Sequence, residues 1–130
     1  MVRVRVGKPV TNPADLQGVV ALPMADVTGW GLLDTGASHL VVSPIVIMAL
    51  GITKFHPAKS TTTRELSNVS QCDVSLLIFD DTGSIAYVEP SIRALVADTV
   101  LPFGCLVGMA ILQHAELHVY GSQNRFEIAF

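Results

Sequence analysis

The chain has 130 residues, half of them hydrophobic and 15% charged, with a formal net charge of −3 and a mean hydropathy of +0.51. That length suits a single domain over residues 1–130 with a modest core, and is too short for two lobes. The scattered charge offers no basic stripe for nucleic acid, and no apolar run reaches the roughly 18 residues of a membrane-spanning helix, so neither nucleic acid nor membrane is an expected partner. The surplus apolar surface is expected to meet another chain instead.

In chain order, "MVRVRVGKPV" alternates apolar and basic residues and predicts a strand over Val2 to Val6. It contains no signal-like stretch, and Cys72 and Cys105 lack C-x-x-C spacing. A cytoplasmic location is therefore expected, with both thiols acting as small buried hydrophobes. Further strands are predicted over Gln17 to Ala25, Trp30 to Leu33 and Leu40 to Val42. Ser43 as N-cap, Pro44 in the first turn and Gly51 as C-cap bracket one short helix, "PIVIMALGI". Thr53 to Asn68, polar at its centre, predicts a projecting hairpin. "QCDVSLLIF" and "SIAYVEP" follow as two β-rich runs, and "NRFEIAF" ends the chain as a strand. The pattern of many short strands is that of an all-β barrel or sandwich.

One triplet occurs twice, as Asp34-Thr35-Gly36 in "LLDTGAS" and Asp81-Thr82-Gly83 in "FDDTGSIAY". The second stands between two strand-like runs, where an acid bonding local backbone and a glycine at positive φ make an ordinary hairpin turn. It misses the spacing of the phosphatase-type D-x-D-G-T strand end. The first lies between "GLL" and "HLVVSP", which predicts an interior position for Asp34, costly for a charge unless the group is satisfied. The plain alternative is a loop acid that accepts local backbone hydrogen bonds.

"LLDTGAS" resembles the signature of the retropepsin-like aspartic peptidases, and "CLVGMAIL", Cys105 to Leu112, resembles the apolar-apolar-Gly turn and short helix that this family sets beside its active-site loop. The resemblance spans nearly the whole chain. It implies an all-β, retropepsin-like closed barrel with one or two short helices, acting on a polypeptide substrate without metal or cofactor. Asp34 would be the catalytic aspartate, Thr35 a hydroxyl linking two active-site loops, and Gly36 the residue that permits close approach. Ala37 and Ser38 would border the substrate groove, Leu106 and Val107 would line side-chain pockets, and the tip containing Thr61, Thr62 and Thr63 would close over the peptide.

Aspartic peptidase chemistry needs two carboxylates sharing a proton. Asp81 lies 47 residues after Asp34, too close for each to own a lobe. The resemblance therefore implies a homodimer in which each chain donates one Asp34 at a two-fold axis. Ala37 offers no hydroxyl to an ionised carboxylate, so a moderately acidic optimum is expected. Where retroviral members carry an acid, an Arg and an Asp or Asn, this chain has Ser38, Met109 and Ala110, and the supporting ion pair is missing. A second expectation follows from those differences, a dimerisation or peptide-binding module of the same fold without turnover. His114 and His118 in "HAELH" lack the Glu placement of H-E-x-x-H and are expected at the exit from a helix into a strand rather than on a metal.

Overall fold

Val2, Val4 and Val6 point to one side of the first strand and are buried, while Arg3 is exposed, as the alternation requires. The computed structural model describes residues 1–11, 27–61 and 66–130, so the strand expected over Gln17 to Ala25 lies outside the described residues. Its elements are β1 (Val2–Gly7), β2 (Val27–Leu33), β3 (Leu40–Val42), α1 (Pro44–Leu50), β4 (His56–Thr61), β5 (Leu66–Phe79), β6 (Ile85–Val96), β7 (Cys105–Val107), α2 (Met109–Leu112), β8 (Glu116–Tyr120) and β9 (Arg125–Ala129).

β1 pairs antiparallel on both sides, with Val4 opposite Gly29 of β2 and Ile78 of β5. From β2 the ring continues through β7, β3 and β6 back to β5, closing a 6-strand barrel, and β4 hangs outside β5. The β2–β7 and β3–β6 pairs are parallel, the others antiparallel. Closure gives each of these six strands a neighbour on both sides over part of its length. Leu40, Val42, Leu76, Ile78, Val107 and Ile111 are almost completely buried at the centre, and Val46, Ile47 and Leu50 of α1 pack into the same core. The all-β expectation holds at this level. Both cysteines are free and buried as expected, and burial pushes the Cys105 thiol up to about 12.

Three local expectations are refined. Ser43 stands at the N-cap of α1, but its hydroxyl makes no cap; it accepts instead from the Leu101 amide at 3.3 Å, tying the helix start to the segment before β7. The hairpin over Thr53 to Asn68 is real, with His56 opposite Gln71 and Thr61 opposite Leu66. Its second arm runs without a break into the barrel, because no Gly or Pro interrupts Leu66 to Phe79. β6 likewise passes through Pro90, where the strand was expected to end. A register shift between Val74 and Leu76 falls opposite that proline, and such an irregularity tolerates a residue without an N–H.

β8 and β9 form a separate two-stranded sheet joined through a 3-10 turn, Gly121–Gln123, and Asn124 in the left-handed region. The C-terminal strand therefore pairs with β8 and not with the barrel. Phe130 stacks on Tyr87 of β6 with ring centroids 4.6 Å apart, holding this hairpin against the barrel wall.

Candidate active site

Asp34 is the first residue beyond β2. Its amide donates to the Val107 carbonyl at 3.0 Å, one more rung of the parallel β2–β7 ladder, and the chain then turns back as the Ala37 amide donates to the Asp34 carbonyl. Within the turn, the Gly36 amide donates to Asp34 Oδ1 at 2.8 Å and fixes the carboxylate's direction.

The same turn is gripped from the far side. α2 begins just after β7, and a helix start leaves its first amides without intrahelical partners. Here the Met109 amide donates to the Ala37 carbonyl at 2.7 Å and the Ala110 amide to the Ser38 carbonyl at 3.0 Å. Gly108 makes this approach possible, since a Cβ there would overlap the His39 carbonyl oxygen and stand 2.6 Å from that of Ala37. Two segments about seventy residues apart thus form one unit around Asp34.

The interior position expected for Asp34 does not hold. β2 ends at Leu33, so the acid leaves the barrel end rather than entering the core, and it is half-buried. Thr35, Gly36 and Ser38 are exposed, and Ala37 is half-buried. Thr35 has no hydrogen-bond partner among the described residues. The Ser38 hydroxyl lies 2.9 Å from His39 Nδ1.

Beside Asp34 and Thr35 opens a cavity of about 470 Å³, walled by Leu32 and Met1 and, across from them, by Val119, Arg125 and Phe126 of the β8–β9 hairpin. Its apolar walls are uncovered, with Val119 73% and Met1 60% exposed. Arg125 is committed elsewhere, to Glu127 at 2.9 Å and Gln123 at 2.7 Å. The sequence reading missed the hairpin's role in this wall, although the alternation of "ELHVY" signals a strand with one apolar side.

Other expected site residues are dispersed. Leu106 is half-buried, but Val107 is fully buried in the core and so lines no substrate pocket, because neighbouring residues of a strand face opposite ways. Thr61 closes β4, while Thr62 and Thr63 lie outside the described residues. The second triplet is a turn, as expected, but its organising acid is Asp80. Asp80 Oδ1 accepts from the Thr82 hydroxyl at 2.6 Å and from the Thr82 and Ser84 amides at 2.9 Å, with Gly83 at φ 83°. Those bonds, the Thr82 hydroxyl first, hold its carboxyl below the usual range. His114 stands before β8 and His118 within it, 3.9 Å from Glu116, so the two share no helix face.

No family model matches the chain, and no curated protein is significantly similar to it. Functional inference therefore rests on the geometry around Asp34. Among the described residues no helix is long and apolar enough to cross a membrane.

Proposed function

We propose that the chain is an aspartic endopeptidase of the retropepsin-like kind, active as a homodimer. The observation that carries this reading is the braced turn, in which the Asp34 carboxylate is oriented by the Gly36 amide at a cavity mouth and the turn itself is held by the amides of Met109 and Ala110. A rigid, half-buried carboxylate beside an open groove is what proton transfer at a peptide carbonyl needs. The closed all-β barrel supports the same reading.

A single Asp34 cannot be acid and base at once. Two copies meeting through the exposed apolar wall of the cavity bring two carboxylates together, and mutual repulsion keeps one proton between them. The ionised member takes a proton from water as the water oxygen bonds to the scissile carbonyl carbon, and the other gives its proton to the carbonyl oxygen. Collapse of the resulting diol breaks the C–N bond as one carboxyl protonates the leaving nitrogen and the other takes back a hydroxyl proton. The exposed Thr35 hydroxyls are available to each other's loops across the two-fold axis. Because the dyad needs one proton, activity falls as pH rises, with a moderately acidic optimum.

A turnover-free peptide-binding module of the same fold is the second reading, favoured by Ala110 and by a Ser38 hydroxyl turned to His39, which leave no ion pair beneath the turn. Incubation with a mixed-sequence peptide library at pH 4 to 7, with mass-spectrometric detection of new termini, separates the two. Cleavage that vanishes in a folded Asp34→Asn variant supports the peptidase. Binding of peptides without any cleavage would leave only the module.

A further inference from the structure

At the end of β1 away from Asp34, another cavity of about 340 Å³ is lined by Lys8, Lys54 and His56 together with Thr11, Thr53 and Ser91. These come from three separate parts of the chain. The segment after β1 is held to β6 by the Val10 amide on the Pro90 carbonyl at 2.8 Å, the connection from α1 and the first residue of β4 supply Thr53, Lys54 and His56, and Ser91 lies in β6. We infer that this cavity is a binding site for a phosphomonoester group.

Charge is the first ground. The chain as a whole is acidic, yet Lys8 and Lys54, 46 residues apart in sequence, line this one cavity, and neither has an acidic partner among the described residues. The carboxylate in the cavity wall, Asp73, is paired with Arg93 Nε at 2.6 Å rather than with either lysine. Gathering like charges is unfavourable in the empty protein, and an anion seated between them reverses the sign of that term. A doubly charged phosphoryl group, with three acceptor oxygens, matches two lysines and three hydroxyl-bearing residues better than a single carboxylate does.

Helix capping does not account for the lysines. Cations are commonly placed after a helix to satisfy its last carbonyls. Here the carbonyls of Met48 and Ile47 already accept from the Gly51 and Ile52 amides, at 3.0 and 3.3 Å, with Gly51 at φ 66°. Lys8 and Lys54 are left with their ammonium groups for an external partner. β1 spans the distance between this cavity and the one at Met1, on the order of 20 Å for six residues of strand, so the site is separate from Asp34 and does not depend on the peptidase reading.

The test uses the full chain, isotopically labelled, with amide shifts followed during titration with inorganic phosphate and with a short phosphoseryl peptide, against acetate and the unphosphorylated peptide as controls. Saturable shifts centred on Lys8, Thr11, Thr53 and Ser91, with a dissociation constant of about 1 mM or tighter, are expected for the phosphoryl ligands and not for the controls. Affinity should fall about tenfold or more in the Lys8→Gln/Lys54→Gln double variant, whose exposed substitutions leave the rest of the spectrum in place. Tighter binding of the peptide than of phosphate assigns the site to phosphorylated chains, and the reverse assigns it to a free phosphate ester. Shifts that do not saturate, that centre elsewhere, or that persist unchanged in the double variant would overturn the site. Peptidase activity, measured in the same variant, is expected to be unaffected, so failure here and failure at Asp34 are read separately.

Discussion

Gly108 packs directly beneath the backbone carbonyl of His39, with no space between them for a side chain. The contact joins the end of β7 to the turn that carries Asp34, and both atoms that a Cβ would strike belong to backbone and cannot swing aside. Gly108→Ala is therefore expected to cost about 3 kcal/mol or more, well above an ordinary surface substitution, and to misplace Asp34 even where the barrel survives. Denaturant unfolding of the variant measures the first effect and peptide turnover the second. A variant of wild-type stability would show that the two loops are not in this contact.

Mixing experiments separate a shared site from an independent one. With wild-type and Asp34→Asn chains mixed equally and allowed to exchange, random pairing leaves about a quarter of the dimers with two aspartates, so activity should fall to about a quarter of the all-wild-type value. Sites complete within one chain would leave about half. Asp81→Asn should retain most activity, since Asp80 and not Asp81 organises its turn.

The exposed cavity wall is expected to be the dimer face. Val119→Asp, at a position 73% exposed in the single chain, should leave the fold intact and dissociate the dimer in sedimentation analysis, with turnover lost in parallel. Removing Phe126 to Phe130 should also weaken association, but it deletes β9 and the Phe130–Tyr87 stack as well, so the point substitution is the cleaner measurement. A fully active, dimeric Val119→Asp protein would place the interface elsewhere.

Asp80 should give stability a recognisable acid limb. Its carboxyl is held below the ordinary value of 3.8, so the ionised form favours the folded state. The contribution is fully present where the carboxyl is ionised in both states, above about pH 5, and is lost as pH falls through the lowered folded value. The melting-temperature gap between wild type and Asp80→Ala is expected to be constant from neutral pH down to about 5 and to narrow below it. A gap that widens on acidification would contradict the turn geometry.

Both thiols should be silent in the native protein. Burial pushes Cys105 up to about 12 and raises Cys72 as well, so neither carries appreciable thiolate at pH 8. Labelling with a thiol reagent is expected only at the rate of unfolding, and fast labelling of Cys105 under native conditions would show the core to be open.

Much of the barrel was legible in the sequence because its signals are local. The alternation of Val2, Val4 and Val6, the Pro44 and Gly51 brackets of α1 and the acid-to-glycine turn at Gly83 each act within a few residues. Pro90 misled because its tolerance depends on the partner strand's register, which no local pattern reports. Ser43 misled in the same way, since its hydroxyl prefers an amide 58 residues away to the helix it precedes. At the candidate site, the triplet marked where the acid sits but not its depth. How far Asp34 stands from the core depends on where β2 stops, and what holds it depends on Gly108 and the amides beyond it.

The brace on the Asp34 turn also sets an order of assembly. Asp34 is synthesised early, but the amides that hold its turn belong to Met109 and Ala110, and its ladder partner Val107 is made only just before them. On the ribosome, a growing chain that has passed Asp34 but not Ala110 carries the carboxylate on an unsupported loop. The first strand must likewise wait for β5, since Arg3 pairs with Phe79, before the ring can shut. A partial translation product in this sense lacks the brace, and the turn at Asp34 acquires it only once the chain has been made through Ala110.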